Sequence, residues 1–375
     1  MNKKLLKTLT GLAIVGTALG AAFAYIKKCK EVNDLGEEDF DDLWDGEEEN
    51  PEVRSATKPA EPYTSYYYYS YEAARQLSAT DFALAEGQFT PGPTYIKGDT
   101  LFVANIQSGA FSLELYDRNK NRHLASLKSW KYKEAEQKFP DKIEAIGISG
   151  NRLYLANISS RIDVFDVRTL EFITRIGTGN WGDGINQMVH SHAMAITPDG
   201  NIMIRTKKNL LVYREADVTL ENYQKVPFYC RSKGDGMDVN NGFHSHQMVQ
   251  DSTGIVYLAD FGQYGNQKIQ AIDTTLIEKG DQKILIDTEK TLPLSFNPCG
   301  IALHENRMIL SAQNGSLFIY DRTKGNWENS FKSVKGYTFK KPEKLLVDQN
   351  TLWVSDVNAQ KLVEVKIYKN EIREY

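Results

Sequence analysis

Three cysteines in 375 residues, at positions 29, 230 and 299, are too few and too scattered for a disulfide framework. The chain also lacks a field of positive charge. Its formal net charge is −4, and residues 53–375 hold 39 basic against 37 acidic side chains. That near balance argues against nucleic acid as a partner. No Gly-x-Ser-x-Gly nucleophile motif and no phosphate-binding glycine loop occurs. Past residue 90 no stretch carries a sustained helical period. Histidine is scarce too, with six in the whole chain, yet four of them fall in two near copies, "HSHAMAITPDGN" (190–201) and "HSHQMVQDSTGI" (244–255).

What charge there is lies unevenly. Residues 1–30 contain six lysines and no acid, around "TLTGLAIVGTALGAAFAYI" (8–26), which has no charge at all. As a helix that segment reaches roughly 30 Å, the thickness of a bilayer core. It is expected to anchor the protein in a membrane, with the body held outside the cytoplasm. Secretion after cleavage at Ala22-Phe23-Ala24, or a body on the cytoplasmic face, are the alternatives. Residues 31–62 follow, with twelve acids before the first base and little apolar content; they read as a self-repelling tether. Residues 63–89 form a tyrosine-rich lead-in, either an aromatic edge strand or a surface-packing segment.

From residue 90 to 375 one pattern recurs six times: a short apolar run, a turn, a run ending in a small residue plus Asn or Asp, another turn, and a third run. The second runs include "LFVAN" (101–105), "LYLAN" (153–157) and "LWVSD" (352–356). The residues opening the core of each first run are Pro93, Ala145, Ala193, Gln247, Gly300 and Lys344, spaced 52, 48, 54, 53 and 44 apart. Units of this size, β-rich and separated by turns such as "PDGN" and "KGD", are expected to be blades of a β-propeller. The expected fold is all-β: six blades after an N-terminal helix and an acidic linker. The last unit ends without a clear fourth strand, so its outer strand is expected from the N-terminal side, "TDFALAEG" (80–87) being one candidate.

Aligning the units places Gly92, Glu144, His192, His246, Cys299 and Glu343 at one ring position, and Thr90, Lys142, His190, His244, Asn297 and Lys341 two residues earlier. Strand alternation sends i and i+2 to the same side. Both His-Ser-His doublets, on adjacent blades, are therefore expected at one channel mouth. Imidazole, thiolate and carboxylate are ligands for divalent transition metals such as zinc. The expected metal set is His190, His192, His244, His246, Cys299, Glu144 and Glu343. The alternatives are that Glu144 and Glu343 pair with Lys142 and Lys341, and that Cys299 is a small buried hydrophobe. The loops before the doublets, "GNWGDGINQMV" and "KGDGMDVNNGF", share Gly-Asp-Gly. They nominate Asp183 and Asp235 as bonding groups on the rim. Trp181, Phe243 and Tyr264 are candidate pocket walls, and Asn157 and Asp260 end second strands at the same rim. His123 and His304 fall in turn contexts and are expected at the surface.

"NPCGIALHENRMILSAQNGSLFIYD" (297–321) and "HSHAMAITPDGNIMI" (190–204) resemble NHL-type repeats of six-bladed propellers. The setting of His192 and His246 is similar to that of the zinc-binding histidines of peptidyl-hydroxyglycine amidating lyases; Cys299 stands where a third matching histidine would be. The resemblance implies zinc in the channel. Three functions follow as expectations: binding of a peptide, sugar or small molecule at a metal-containing mouth; a metal-dependent lyase or hydrolase at that mouth; or a protein-interaction scaffold.

Overall fold

A computed structural model describes residues 64–132, 134–182, 187–206, 210–218, 229–231, 244–261, 268–274, 283–286 and 298–374. The apolar segment and the acidic tether lie outside them, and among the described residues no helix is long and apolar enough to cross a membrane. Strand β1 (Thr64–Leu77) and a 3-10 turn (Ala79–Phe82) precede the repeats. Blade 1 is β2 (Pro91–Lys97), β3 (Thr100–Asn105), β4 (Ser112–Asp117) and β5 (Arg122–Leu127), followed by the hairpin β6 (Ser129–Tyr132) and β7 (Ala135–Lys138). Blade 2 is β8 (Ile143–Ser149), β9 (Arg152–Asn157), β10 (Arg161–Asp166) and β11 (Phe172–Ile176). Blade 3 is β12 (Ser191–Ile196), β13 (Asn201–Thr206), β14 (Leu210–Arg214) and β15 (Tyr229–Arg231). Blade 4 is β16 (His244–Gln250), β17 (Ile255–Phe261), β18 (Lys268–Asp273) and β19 (Lys283–Ile286). Blade 5 is β20 (Pro298–His304), β21 (Arg307–Ala312), β22 (Leu317–Asp321) and β23 (Asn326–Phe331), followed by the hairpin β24 (Ser333–Val334) and β25 (Tyr337–Thr338). Blade 6 is β26 (Pro342–Asp348), β27 (Thr351–Asp356) and β28 (Lys361–Glu374), with β1 as its outer strand.

The first strands touch in the order β2, β8, β12, β16, β20, β26 and back to β2, which closes a six-bladed ring. Each blade is an antiparallel meander. Its middle strands are apolar on both faces because neighbouring blades cover both faces. Between blades 1 and 2 the core contains Phe102, Leu115, Trp130 and Phe165; between blades 2 and 3, Tyr154, Ile162, Ile204 and Tyr213. Where blade 6 meets blade 1, Leu77, Phe82, Phe89, Tyr116 and Trp353 pack together.

The ring-closing strand is the tyrosine-rich segment, not 80–87. Ser78 and Asp81 form a reciprocal capping box that starts a 3-10 turn, and Ala83 ends it in a left-handed conformation (φ 55°), so the chain cannot continue extended there. Residues 71–367 form one compact unit, and the strand ends 64–70 and 368–374 belong to a second. Within that second unit Asn370 Nδ2 donates to Ser70 Oγ (2.9 Å), and the Lys369 ammonium lies 5.0 Å from the Tyr67 ring centroid.

Buried carboxylates staple third strands to fourth strands. Glu114 accepts from Ser112 Oγ (2.6 Å) and contacts His123 Nε2 (2.9 Å); Asp163 receives Arg161 (3.0 Å) and Arg175 (2.7 Å). In blade 6 the corresponding carboxylate, Glu364, is held by Arg75 of β1 at 2.6 Å. The Arg75 guanidinium also lies over the rings of Trp353 (5.5 Å) and Tyr116 (5.8 Å) and bonds Asn121 of blade 1. One side chain therefore latches the N-terminal strand to both blades at the closure. His123 and His304 are not simple surface residues. His123 serves the Glu114 staple, and His304 is 5% exposed with Nε2 3.0 Å from Asn350 Oδ1 of blade 6.

Arg75→Ala is expected to lower stability by about 2 kcal/mol, because it removes charge-assisted bonds and a stacked cation together. Arg75→Lys should restore only part of this, since the planar fork is lost. Denaturant unfolding checks both; a change within about 0.5 kcal/mol for Arg75→Ala, the scatter of ordinary surface substitutions, would remove the latch from the account.

Candidate functional site

The six aligned positions share a backbone feature that simple alternation does not anticipate. Pairing of first with second strand shifts register between 91 and 94, 143 and 145, 191 and 193, 245 and 247, 298 and 300, and 342 and 345. Gly92, Glu144, His192, His246, Cys299 and Glu343 thus each sit at a β-bulge. A bulge withdraws a residue from the ladder and re-aims its side chain. It also leaves that residue's carbonyl to be satisfied some other way.

Serine does so at two blade junctions. Ser355 Oγ donates to the carbonyl of Gly92 (2.6 Å), and Ser311 Oγ to that of Glu343 (2.7 Å). At the axis the donor is Lys344, whose ammonium donates to the carbonyls of Glu144 (3.1 Å) and His246 and lies 3.3 Å from Glu144 Oε2. It joins blade 6 to blades 2 and 4 across the channel. Gln247 makes a second crossing: its Oε1 accepts from Ile301 N (3.2 Å) and Leu345 N (3.0 Å), and its Nε2 donates to Leu345 O. Gly300 is required beneath it, because a Cβ there would lie 2.1 Å from the Glu343 carbonyl oxygen. These groups leave a narrow cavity of about 40 Å³ lined by Glu144, His246, Gln247 and Lys344 among others. That is room for a few waters.

Glu144 is 4% exposed, and its Oε1 is 2.5 Å from Lys142 Nζ. Burial alone would raise its pKa; the Lys344 and Lys142 ammonium groups, with His246, outweigh burial and hold it down to about 2. Glu343 pairs with Lys341 at 2.6 Å. Cys299 is 2% exposed, and burial, with the Glu343 charge, pushes its thiol up to about 12. Glu144 and Glu343 are thus each paired with the lysine two residues before them, and Cys299 is buried.

The histidines fall in two settings. His190, left-handed at φ 51° just before β12, receives Ser160 Oγ as acceptor for its N–H (3.1 Å). Its ring meets Trp181 edge-on at 4.4 Å between centroids and His192 at 5.3 Å. His192 is 3% exposed and Trp181 65%. His246 instead lines the axial cavity beside Glu144 and Lys344. Asn157 is buried; its Nδ2 donates to Asp141 O (2.7 Å) and its Oδ1 accepts from Ser159 N (2.8 Å), so its amide braces the loop leading into β8. Asp183, Asp235, Phe243 and Tyr264 lie outside the described residues, and of His244 and Asp260 only the backbone is described. Among the described residues no three of His, Cys, Asp and Glu converge as metal ligands. A lysine ammonium stands beside Glu144 and the thiol of Cys299 is held protonated, while His190 and His192 lie next to each other.

The residues that organise the axis, Lys344 and Gln247, are visible in the sequence only as polar residues opening apolar first strands, as in "EKLLV" and "HQMVQ". Their burial carries the signal, and burial is not local information.

No protein-family model matches the chain, and no curated protein is significantly similar to it. Solved structures do match. The WD40 repeats of RRP9 align at TM-score 0.51 with 10% identity, covering 76% of this chain and 77% of that one. The Cps50 (Swd1) β-propeller domain of Myceliophteria thermophila aligns at 0.51 with 8% identity over 79% and 99%. A Bacteroides thetaiotaomicron structural genomics protein of unknown function aligns at 0.51 with 13% identity over 81% and 77%. At these identities the likeness is one of fold. The chain is a six-bladed β-propeller, similar in architecture to WD40 and other propellers.

Lys344→Met is expected to destabilise the protein by about 3–5 kcal/mol, because it strips two turned-out carbonyls of a donor and the buried Glu144 carboxylate of one of its two ammonium partners. The pH dependence has a definite sign. Glu144's folded pKa lies below its ordinary 4.5, so its contribution to stability is full above that value and disappears as pH falls toward 2. The stability gap between wild type and Glu144→Gln should accordingly be widest above pH 5 and shrink toward pH 2 in denaturation midpoints. A gap independent of pH would contradict the ion-pair assignment.

Proposed function

We propose that this protein is a ligand-binding propeller, tethered to a membrane through residues 8–26, that holds a peptide, sugar or small molecule at the rim carried by blade 3. The observation that carries this reading is the Trp181–His190–His192 array. A large aromatic face stands in solvent, edge-on to a histidine whose backbone is in a conformation uncommon for a side-chain-bearing residue. That histidine is backed in turn by a buried imidazole. Exposed tryptophan on a rigid support suits recognition, since it offers contact area with little conformational freedom to lose. Strained residues concentrate where ligands are held.

The resemblance to NHL-type repeats rests on the residue pattern of 190–204 and 297–321. No observation among the described residues favours the metal-dependent lyase or hydrolase reading, or the scaffold reading, over binding. Metal analysis of the purified full-length protein, with and without His192→Ala and His246→Ala, tests a metal at this mouth: stoichiometric zinc lost in both variants would support it, and a content unchanged in both would reject it.

Full-length protein in detergent, applied to peptide and glycan arrays, is expected to give discrete ligands. Trp181→Ala and His190→Ala should weaken those ligands at least ten-fold without changing the unfolding midpoint by more than a few degrees. Ligands bound equally by both variants would place recognition elsewhere. Membrane fractionation of the full chain and of a chain lacking residues 1–30 tests the tether: only the first should sediment with membranes.

A further inference from the structure

The channel has a second compartment on the far side of the Lys344 and Gln247 crossings. Toward the ends of the first strands lies a cavity of about 390 Å³ to which all six blades contribute, through Thr94, Ile146, Met194, Met248, Ile301 and Leu345 among others. Its size falls within the range of small-molecule sites. None of its lining residues is charged. Gln247 belongs to both cavities and ties β16 to β20 and β26 across the channel.

One lining residue marks the polarity of what would fit. Gln250, the last residue of β16, has its Nε2 buried with no hydrogen-bond partner among the described residues. A buried amide donor without an acceptor is costly, and the cost is relieved by an occupant that brings one. Thr94, Tyr95 and Gln247 are the remaining polar side chains of the lining, and Gln247's amide is already engaged with the neighbouring backbone. The methionines 194 and 248 give the wall an adaptable surface.

We infer that this end of the channel is a binding site for an uncharged, largely apolar molecule bearing one hydrogen-bond acceptor, such as a ketone, ester or amide, whose acceptor meets Gln250. A charged ligand would be desolvated without a counter-charge and is excluded on that ground. The site is separate from the Trp181 rim, so it neither needs nor supports the rim reading.

The test uses the full-length protein and the fluorescent ketone 6-propionyl-2-dimethylaminonaphthalene, whose emission shifts to the blue when it leaves water. A saturable blue shift at one probe per chain is expected. Val347→Trp, which fills the mouth from β26, should weaken it at least ten-fold. Ile148→Trp, filling from β8, is the parallel variant should the first not fold. Gln250→Met should weaken the ketone about five-fold, in line with one lost hydrogen bond, and leave naphthalene binding unchanged. Trp181→Ala and His190→Ala should leave both titrations unchanged, which separates this site from the rim. Non-saturable binding, or saturable binding that both tryptophan variants leave within two-fold, would overturn the site. Equal weakening of ketone and naphthalene by Gln250→Met would overturn the acceptor assignment.

Discussion

The ammonium of Lys344 is the group on which the centre of this molecule depends. A propeller brings the edge strands of all its blades to one axis, and edge strands present unpaired backbone. Here every first strand also carries a bulge at its start, which turns further carbonyls out of their ladders. Two of these, from Glu144 and His246, point to a single cation, and the Glu144 carboxylate completes its surroundings. Removing the cation would take a donor from both carbonyls at once and leave Glu144 with Lys142 alone. An apolar side chain could fill the volume but could not answer the carbonyls. That is why a lysine is tolerated where only 3% of its surface meets solvent.

The same logic governs the closure of the ring. A covalent chain cannot close on itself, so the first and last segments must share a blade. Blade 6 does this with β1, and the junction is made by charge and stacking. Arg75 meets Glu364, Trp353 and Tyr116 together. Equivalent carboxylates in blades 1 and 2 bind donors from their own fourth strands. Closure thus reuses a staple already present in the repeat, with the donor supplied from the opposite end of the chain.

These crossings divide the channel into two ends of different chemistry. The end at the start of the first strands is polar and narrow, flanked on blade 3 by imidazole and an exposed indole. The far end is wide, uncharged and apolar. Lys344 and Gln247 cross the channel where the two ends meet. At the first end, chemically similar side chains met different neighbours. Glu144 and Glu343 found lysines two residues before them in the chain, Cys299 was buried as a thiol, and His190 and His192 met an indole.

Much of the architecture was legible in the order of residues. Six units, their turns, the first three strands of each and the alignment of Glu144, His192, His246, Cys299 and Glu343 follow from short-range patterns of apolar residues and turn formers. Such patterns report which segments must be extended and buried on both faces. The pairing of Glu144 with Lys142 was equally readable as a local alternative. Legibility ended where residues distant in sequence meet. Nothing near Lys344 announces that it will reach blades 2 and 4, nor does the tyrosine run reveal that its Arg75 will latch blade 6. The left-handed backbone at His190 and the bulge at His192 were likewise invisible. Local sequence determines the conformations a segment can adopt and which side chains it must hide. Only the closed ring decides which hidden polar groups face one another, because their partners are chosen by distance across the axis and not by separation along the chain.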